Sequence, residues 1–320
     1  MNVQILAGHP DPALGIALEN FESEFRYPLG GAAWFRISHG SDYTRFFRAI
    51  GDARCFVATT DERIAGVLSV SLSPLHVPGQ GVVLAAYLSD LKIRATGLRP
   101  GRVLLSLFRA AEQWVGGRAA VAFSVVMEGT SRLPSDYTGR QNIVPFRRVA
   151  ELMVMRIAYD QTSVAHRCGT TVTIDSVEAA RASMASNQHY LRGGESNLRS
   201  QMRPVGLTNA EGSAVAVLED TRKAKRLFRE DGSEMVSAHL TSFGYRNIAA
   251  ASELIRVACG RCSDAAVPAL FVAVPRDQTA EFMDALPPLK ITQAPATVFA
   301  ADLSGTTPLL DAWSIDTAQI

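Results

Sequence analysis

One plan of strand, turn, helix and strand occurs twice in this chain, and that repetition restricts its fold more than any other feature. In the first half an apolar run at residues 82–93 leads into a turn with Gly and Pro at 94–101. Apolar residues then recur at helical spacing (Val103, Leu104, Leu107, Phe108, Ala111), and a second apolar run fills 121–127. In the second half a strand at 235–240, a helix at 247–258 and a strand at 269–274 follow in the same order. Asp90 lies 33 residues before Phe123, and His239 lies 32 before Phe271. Matched spacing over landmarks in one order argues for an internal duplication, with its boundary at 161–169.

Each half opens in a similar way. A strand at 3–6 precedes a helix at 12–25, for which Asp11 is the cap and Pro12 the first helical residue. Asp42 is placed to cap a second helix carrying Tyr43, Phe46 and Phe47. Residues 55–58 and 64–70 form two extended runs around a polar tip, which predicts a hairpin. A loop at 74–81 holds His76, and 151–159 is a further strand. The second half echoes this with a strand at 171–174, a helix at 177–185 and a hairpin made of 214–218 and 223–228. A polar stretch at 187–212 is expected to form loops or short helices. Strands alternating with helices imply an α/β fold.

Composition removes several classes of function. With 47% hydrophobic and 20% charged residues, the chain can bury a large core and is not a disordered tail. Thirty-two Lys and Arg against 31 Asp and Glu leave a net charge of +1, which argues against a nucleic-acid partner. No apolar run approaches the roughly 20 residues of a membrane-spanning helix, so no membrane partner is expected. The opening Met-Asn-Val-Gln-Ile-Leu has no basic stretch ahead of an apolar one; no signal peptide is expected, and the expected address is cytoplasmic. Cys259 and Cys262 frame a Cys-Gly-Arg-Cys motif, but no second pair of Cys or His stands at metal spacing. They are expected to be small apolar residues at the end of a helix, and no metal site is expected. The six histidines are scattered.

The chemistry is expected in Tyr87-Leu-Ser-Asp-Leu-Lys-Ile-Arg-Ala-Thr-Gly-Leu-Arg-Pro-Gly-Arg-Val-Leu-Leu-Ser-Leu107. This segment resembles motif A of the GNAT (GCN5-related) acyl-CoA N-acyltransferases, and the surrounding order of elements is similar to theirs. In that family a loop of Arg, Gln and glycines turns its amides onto the pyrophosphate of coenzyme A at a helix start. The physical basis is general: unsatisfied N–H groups and the positive end of the helix dipole favour a dianion there. The sequence departs from the family's R-G-x-G-[IV]-G pattern, because Arg99-Pro100 replaces the preceding glycine pair and the loop is shorter. Pro100 has no N–H to give.

The resemblance implies tandem GNAT-like folds, each a mixed, mostly antiparallel sheet flanked by helices, in domains 1–165 and 166–320. It implies acetyl-CoA or another acyl-CoA as co-substrate. The amides of Leu98, Arg99, Gly101, Arg102 and Val103 would meet the pyrophosphate, and the backbone at Leu91, Lys92 and Ile93 would pair with the pantetheine arm. Strand 121–127 would splay away and open a cleft for the acyl group. Tyr137 would be the acid that reprotonates the thiolate; Asp90 and His76 are the candidates for the base. Trp34, Phe35, Tyr43 and Phe47 could line the acceptor pocket. The second half has only Gly244 between bulky Phe243 and Tyr245, so it is expected to keep the fold without the cofactor, covering the acceptor cleft or joining a homodimer interface. The implied reaction moves an acyl group, most simply acetyl, to the primary amine of a small molecule. Two other functions stay open: a non-catalytic sensor of a CoA-type ligand, and an acyltransferase served by an acyl carrier protein that Arg94, Arg99 and Arg102 would meet.

Overall fold

The computed structural model describes residues 1–28, 33–60, 63–94, 100–130, 132–137, 143–159, 169–286 and 289–320. The first half runs β1 (Asn2–Leu6), α1 (Pro12–Glu22), β2 (Tyr27–Pro28), β3 (Trp34–Ser38), α2 (Arg45–Arg48), β4 (Asp52–Thr60), β5 (Arg63–Val77), β6 (Gly81–Ile93), α3 (Pro100–Val115), β7 (Val121–Met127) and β8 (Arg147–Ala158). The second half runs β9 (Thr170–Val172), α4 (Ile174–Met184), β10 (His189–Leu191), α5 (Ser196–Arg199), β11 (Val205–Thr208), β12 (Ala214–Glu219) and β13 (Arg226–Arg229). It continues with β14 (Ala238–Tyr245), α6 (Ile248–Asp264), β15 (Ala269–Pro275), α7 (Thr279–Ala285), β16 (Lys290–Asp302) and β17 (Trp313–Ser314). No helix among the described residues is long and apolar enough to cross a membrane.

A single sheet passes through both halves in the order β1-β4-β5-β6-β7-β16-β8-β15-β14-β12-β11-β9. Along this order each half has one parallel step, β6 beside β7 and β14 beside β15; off it, β10 and β17 also pair in parallel. Beyond that step the halves exchange their last strands. β7 pairs with β16, while β15 pairs with β8, and β8 and β16 meet in the middle. Backbone ladders therefore tie the halves together, and neither sheet is complete without a strand from the other.

The faces of the sheet are filled as the side-chain periods dictate. Asp11 accepts the Leu14 amide at 2.9 Å and Pro12 opens α1. Along α3, Val103, Leu107, Ala111 and Val115 fall on one stripe and bury against Phe56, Val70, Ala86 and Ala122, with Leu104 buried beside them. The opposite face packs Tyr43, Phe46 and Phe47 with Tyr87, Phe123 and Trp313.

Several expectations need correction. Residues 74–77 are not a loop: β5 runs on to Val77, and Pro74 pairs with Leu84. Asp42 does not cap a long helix; α2 is one turn, and the Asp42 carboxylate holds Thr44, Arg45 and Arg48 instead. Residues 223–228 do not form a hairpin with 214–218. The partner of β12 is β11, hidden in the polar stretch, and β13 crosses to pair with β3 of the first half. The helix expected to end at 258 runs on to Asp264; Cys259 and Cys262 lie buried in its last two turns, with both thiols held above the ordinary range by burial. The boundary residues 161–168, including Cys168, fall outside the described residues.

Candidate functional site: a bent strand edge over a buried charge cluster

The site begins with a change of register in β6. Ser89 pairs with Ser69 and Lys92 with Val67, so Asp90 and Leu91 together oppose the single residue Leu68. This is a β-bulge, and it puts Asp90 at φ 55°, a left-handed conformation that Asp tolerates better than most side chains. On its other side β6 pairs with β7 only across Ala85–Tyr87 and Val121–Phe123. Beyond Tyr87 the two strands part. The edge of β6 from Leu88 to Ile93 is left without a β7 partner, bent at Asp90, with Leu91 exposed on it.

Beneath the bend lies a cluster of charges that the sequence did not announce. The Lys92 ammonium, 2% exposed, binds Glu22 Oε1 at 2.8 Å and the Asp90 carboxylate. His39 brings Nδ1 to 2.6 Å from Glu22 Oε1 and gives its backbone N–H to Oε2 at 3.0 Å. The Tyr43 hydroxyl donates to Asp90. Burial by itself would raise the Glu22 carboxyl, but the charges of His39 and Lys92 win and hold it down at about 2. Burial would lower Lys92, yet Asp90 and Glu22 keep it above the ordinary lysine range. Burial, with Asp90 adding to it, pushes the Tyr43 phenol well up, so this hydroxyl is a donor and not a phenolate. Glu22, His39 and Asp90 also converge as metal ligands would, within 4.8 Å of one another. The Lys92 ammonium already bridges the two carboxylates and supplies the positive charge.

The sequence-predicted residues separate into groups. Asp90, Leu91, Lys92 and Ile93 are together at the bend. Gly101, Arg102 and Val103 stand in the first turn of α3, with Gly101 and Arg102 exposed and Val103 buried. Among the described residues, none comes within 4 Å of a Cβ built on Gly101. Leu98 and Arg99 lie outside the described residues. Tyr137 follows a 3-10 turn at Pro134–Asp136 and is half-buried; burial raises its phenol, so it carries a proton at neutral pH. His76 is not brought to the bend. It lies seven residues farther along β5 than Ser69, on the order of 23 Å at strand rise, and stacks on Tyr190. Tyr43 and Phe47 are core side chains, not pocket lining, although the Tyr43 hydroxyl reaches Asp90. Trp34 is exposed and Phe35 partly buried. Arg94 is not free for an acidic partner, because Glu24 holds its guanidinium.

The second half covers this region. β13 adds to β3, Arg45 donates to the Lys223 carbonyl at 3.3 Å, and buried Lys225 sits 4.2 Å from the Phe46 ring centre with its ammonium on the Ile320 carbonyl. Glu22 was missed, though it had a signal: it continues the buried stripe of Gly15 and Leu18 at helical spacing. His39 and Lys225 had none, since only the tertiary fold brings them near Lys92.

The second half contains the same bend in a sealed form. Val215 pairs with Gly244 and Val217 with Thr241, leaving Ser242 and Phe243 opposite Ala216, with Ser242 at φ 49°. The Asp316 carboxylate accepts the Ser242 amide at 2.9 Å and lies 3.4 Å from the buried Arg181 guanidinium; Glu178 accepts the Ser242 hydroxyl. β14 ends at Tyr245 and α6 begins at Ile248. The Asn247 side chain occupies the first turn of α6 by accepting the Ala250 amide at 2.9 Å. No loop and no free helix start are left there.

In each half a bent strand parts from its parallel neighbour beside a bulge and leads into a helix, and this is the fold of the GNAT-type acyltransferases. Among solved structures, the chain is similar to Saccharomyces cerevisiae N-myristoyltransferase with bound myristoyl-CoA, with a TM-score of 0.61 and 10% identity over 94% of this chain and 82% of that one. A GCN5-related N-acetyltransferase from Anabaena variabilis matches with a TM-score of 0.52 and 13% identity over 93% and 72% of the two chains. Eis1 from Mycobacterium abscessus matches with a TM-score of 0.50 and 12% identity over 95% and 74%. No family model matches the chain, and neither does any curated protein.

Proposed function

We propose that the chain is an acyl-CoA-dependent N-acyltransferase that transfers an acyl group, in the simplest case acetyl, to the primary amine of a small molecule in the cytosol. The first repeat, 1–165, carries the acyl-CoA site; the second, 166–320, covers the acceptor side and binds no cofactor. One contrast carries this proposal: the bent strand edge is unpaired by β7 at Asp90 and filled by the protein's own Asp316 at Ser242.

An acyl-CoA fits the first site in its general outline. The Leu88–Ile93 edge of β6 can take an extended pantetheine arm as an added strand would be taken. The start of α3 lies beyond the end of that edge, and no described residue crowds Gly101, so a diphosphate could approach the amides there. The amine would attack the thioester carbon with its lone pair, the carbon–sulfur bond would break, and sulfur would leave as thiolate. Tyr137, protonated at neutral pH, is the acid for the thiolate, and Asp90 is the base for the ammonium proton. His76 has no part in this scheme.

Thermal-shift titration tests the proposal. Acetyl-CoA and free CoA should raise the melting temperature of the wild type by mass action, and Gly101→Glu should abolish the shift by putting bulk and negative charge at the diphosphate. Release of thiol with a panel of amines separates an enzyme from a sensor. A wild type indifferent to CoA and its esters would end the proposal.

A further inference from the structure

The cleft between β6 and β7 has an aromatic floor. At the last paired residues the Tyr87 and Phe123 rings stack with centroids 4.7 Å apart and planes at 14°. Trp313, in β17, packs on Phe123 at 5.3 Å, and His189 stacks on Trp313 at 4.6 Å. All three of Tyr87, Phe123 and Trp313 are buried to 2% exposure or less. Two of the rings are also pinned by hydrogen bonds: the Tyr87 hydroxyl donates to the Gln319 carbonyl at 2.9 Å, and Trp313 Nε1 to the Leu310 carbonyl at 2.9 Å.

A thioester beside the bulge at Asp90 is three strand residues from this floor, roughly 10 Å at strand rise. Among the described residues, three neighbouring directions are filled. β5 pairs along β6, β16 pairs along β7, and α3 packs over Ala86 and Ala122. The cavity that Trp313 helps to line with Leu152, Phe243 and Ile315 holds about 20 Å³, which is room for a water and not for an alkyl chain. Rings held by both stacking and hydrogen bonds do not swing aside at low cost in a close-packed interior.

We propose that Tyr87, Phe123 and Trp313 set the length of the acyl group, restricting the donor to short-chain acyl-CoA such as acetyl-CoA. This rests on the acyl-transfer function proposed above and adds the donor class to it. The test is binding of CoA, acetyl-CoA, octanoyl-CoA and myristoyl-CoA to the full chain by calorimetry. In the wild type, octanoyl-CoA and myristoyl-CoA should bind about tenfold or more weaker than acetyl-CoA. Phe123→Ala should bring octanoyl-CoA level with acetyl-CoA, read as the ratio of their two Kd values. Should that variant fail to fold, Phe123→Leu keeps most of the packing and should move the ratio in the same direction. Equal or tighter binding of the long esters by the wild type overturns the aromatic floor and leaves the acyl-CoA site standing. If neither CoA nor any ester binds, the site itself falls, and the floor with it.

Discussion

Asp90 and Ser242 are equivalent residues of the two halves, each three positions past the residue that pairs across the parallel step. Tyr87 faces Phe123 before one of them, and His239 faces Phe271 before the other, and both bends have positive φ, 55° and 49°. The backbone repeats the same parallel step and bend, in a register that differs from the one that sequence spacing suggested. There Asp90 was matched to His239, three residues off, because spacing alone cannot locate a bulge. What separates the halves is the group that meets the bend. At Ser242 it is Asp316 of the same chain.

Replacing that plug should cost stability without creating a second site. Asp316→Ala leaves the Arg181 guanidinium buried with its carboxylate removed, a loss of about 3–5 kcal/mol. Urea unfolding measures the cost. Calorimetry on the folded variant should still find one equivalent of acyl-CoA per chain, and a second equivalent would contradict the degeneracy of this half.

Gly66 holds the site together from below. A Cβ there would stand 2.9 Å from both the Lys92 carbonyl and Val103 Cγ1, between the end of β6 and the first turn of α3. Gly66→Ala should cost about 1–3 kcal/mol by overpacking and weaken acyl-CoA binding. Tight binding in a destabilised variant would show that the α3 start tolerates displacement.

Glu22 should make the protein acid-sensitive in a defined window. Its folded carboxyl is held down at about 2 against an ordinary value of 4.5, so its contribution is present above 4.5. That contribution is lost as the pH falls from 4.5 through 2, where the folded form also takes up the proton. Glu22→Gln should flatten the fall in stability across this window, as followed by urea midpoints at successive pH values.

If Tyr137 is the acid, Tyr137→Phe should lower kcat by about 10²–10⁴ while the Kd for acetyl-CoA stays unchanged. An unchanged rate of thiol release would remove Tyr137 from the mechanism.

Much of the scaffold could be read from local patterns. Pro12 and Asp11 placed a helix, the stripe from Val103 to Ala111 placed another, and the apolar run at 121–127 coincided with β7. Such signals are local, because a cap, a 3.6-residue stripe and a continuous apolar run depend on neighbours in sequence. The site was legible only in part. Asp90 and Lys92 were singled out, but the bulge that turns Asp90 toward Lys92 depends on how β6 registers with β5. The β11 strand was lost among polar residues, since it is only four residues long and contains Gly206, and the ladder with β12 supplies what the local pattern lacks.

The chain's own order of residues pointed to an α/β fold, to the start of the first helix at Pro12 and of the long second-half helix beside Asn247, and to the apolar run that forms β7. Those are properties of segments that bury one face whatever their partners. Only the tertiary structure decided that the halves trade β8 and β16, that Lys92 is caged by Glu22 and Asp90, and that Asp316 seals one bend while the other stays open. Each of these joins groups far apart along the chain, and their energies come from burial and desolvation that do not exist until the sheet has closed around them.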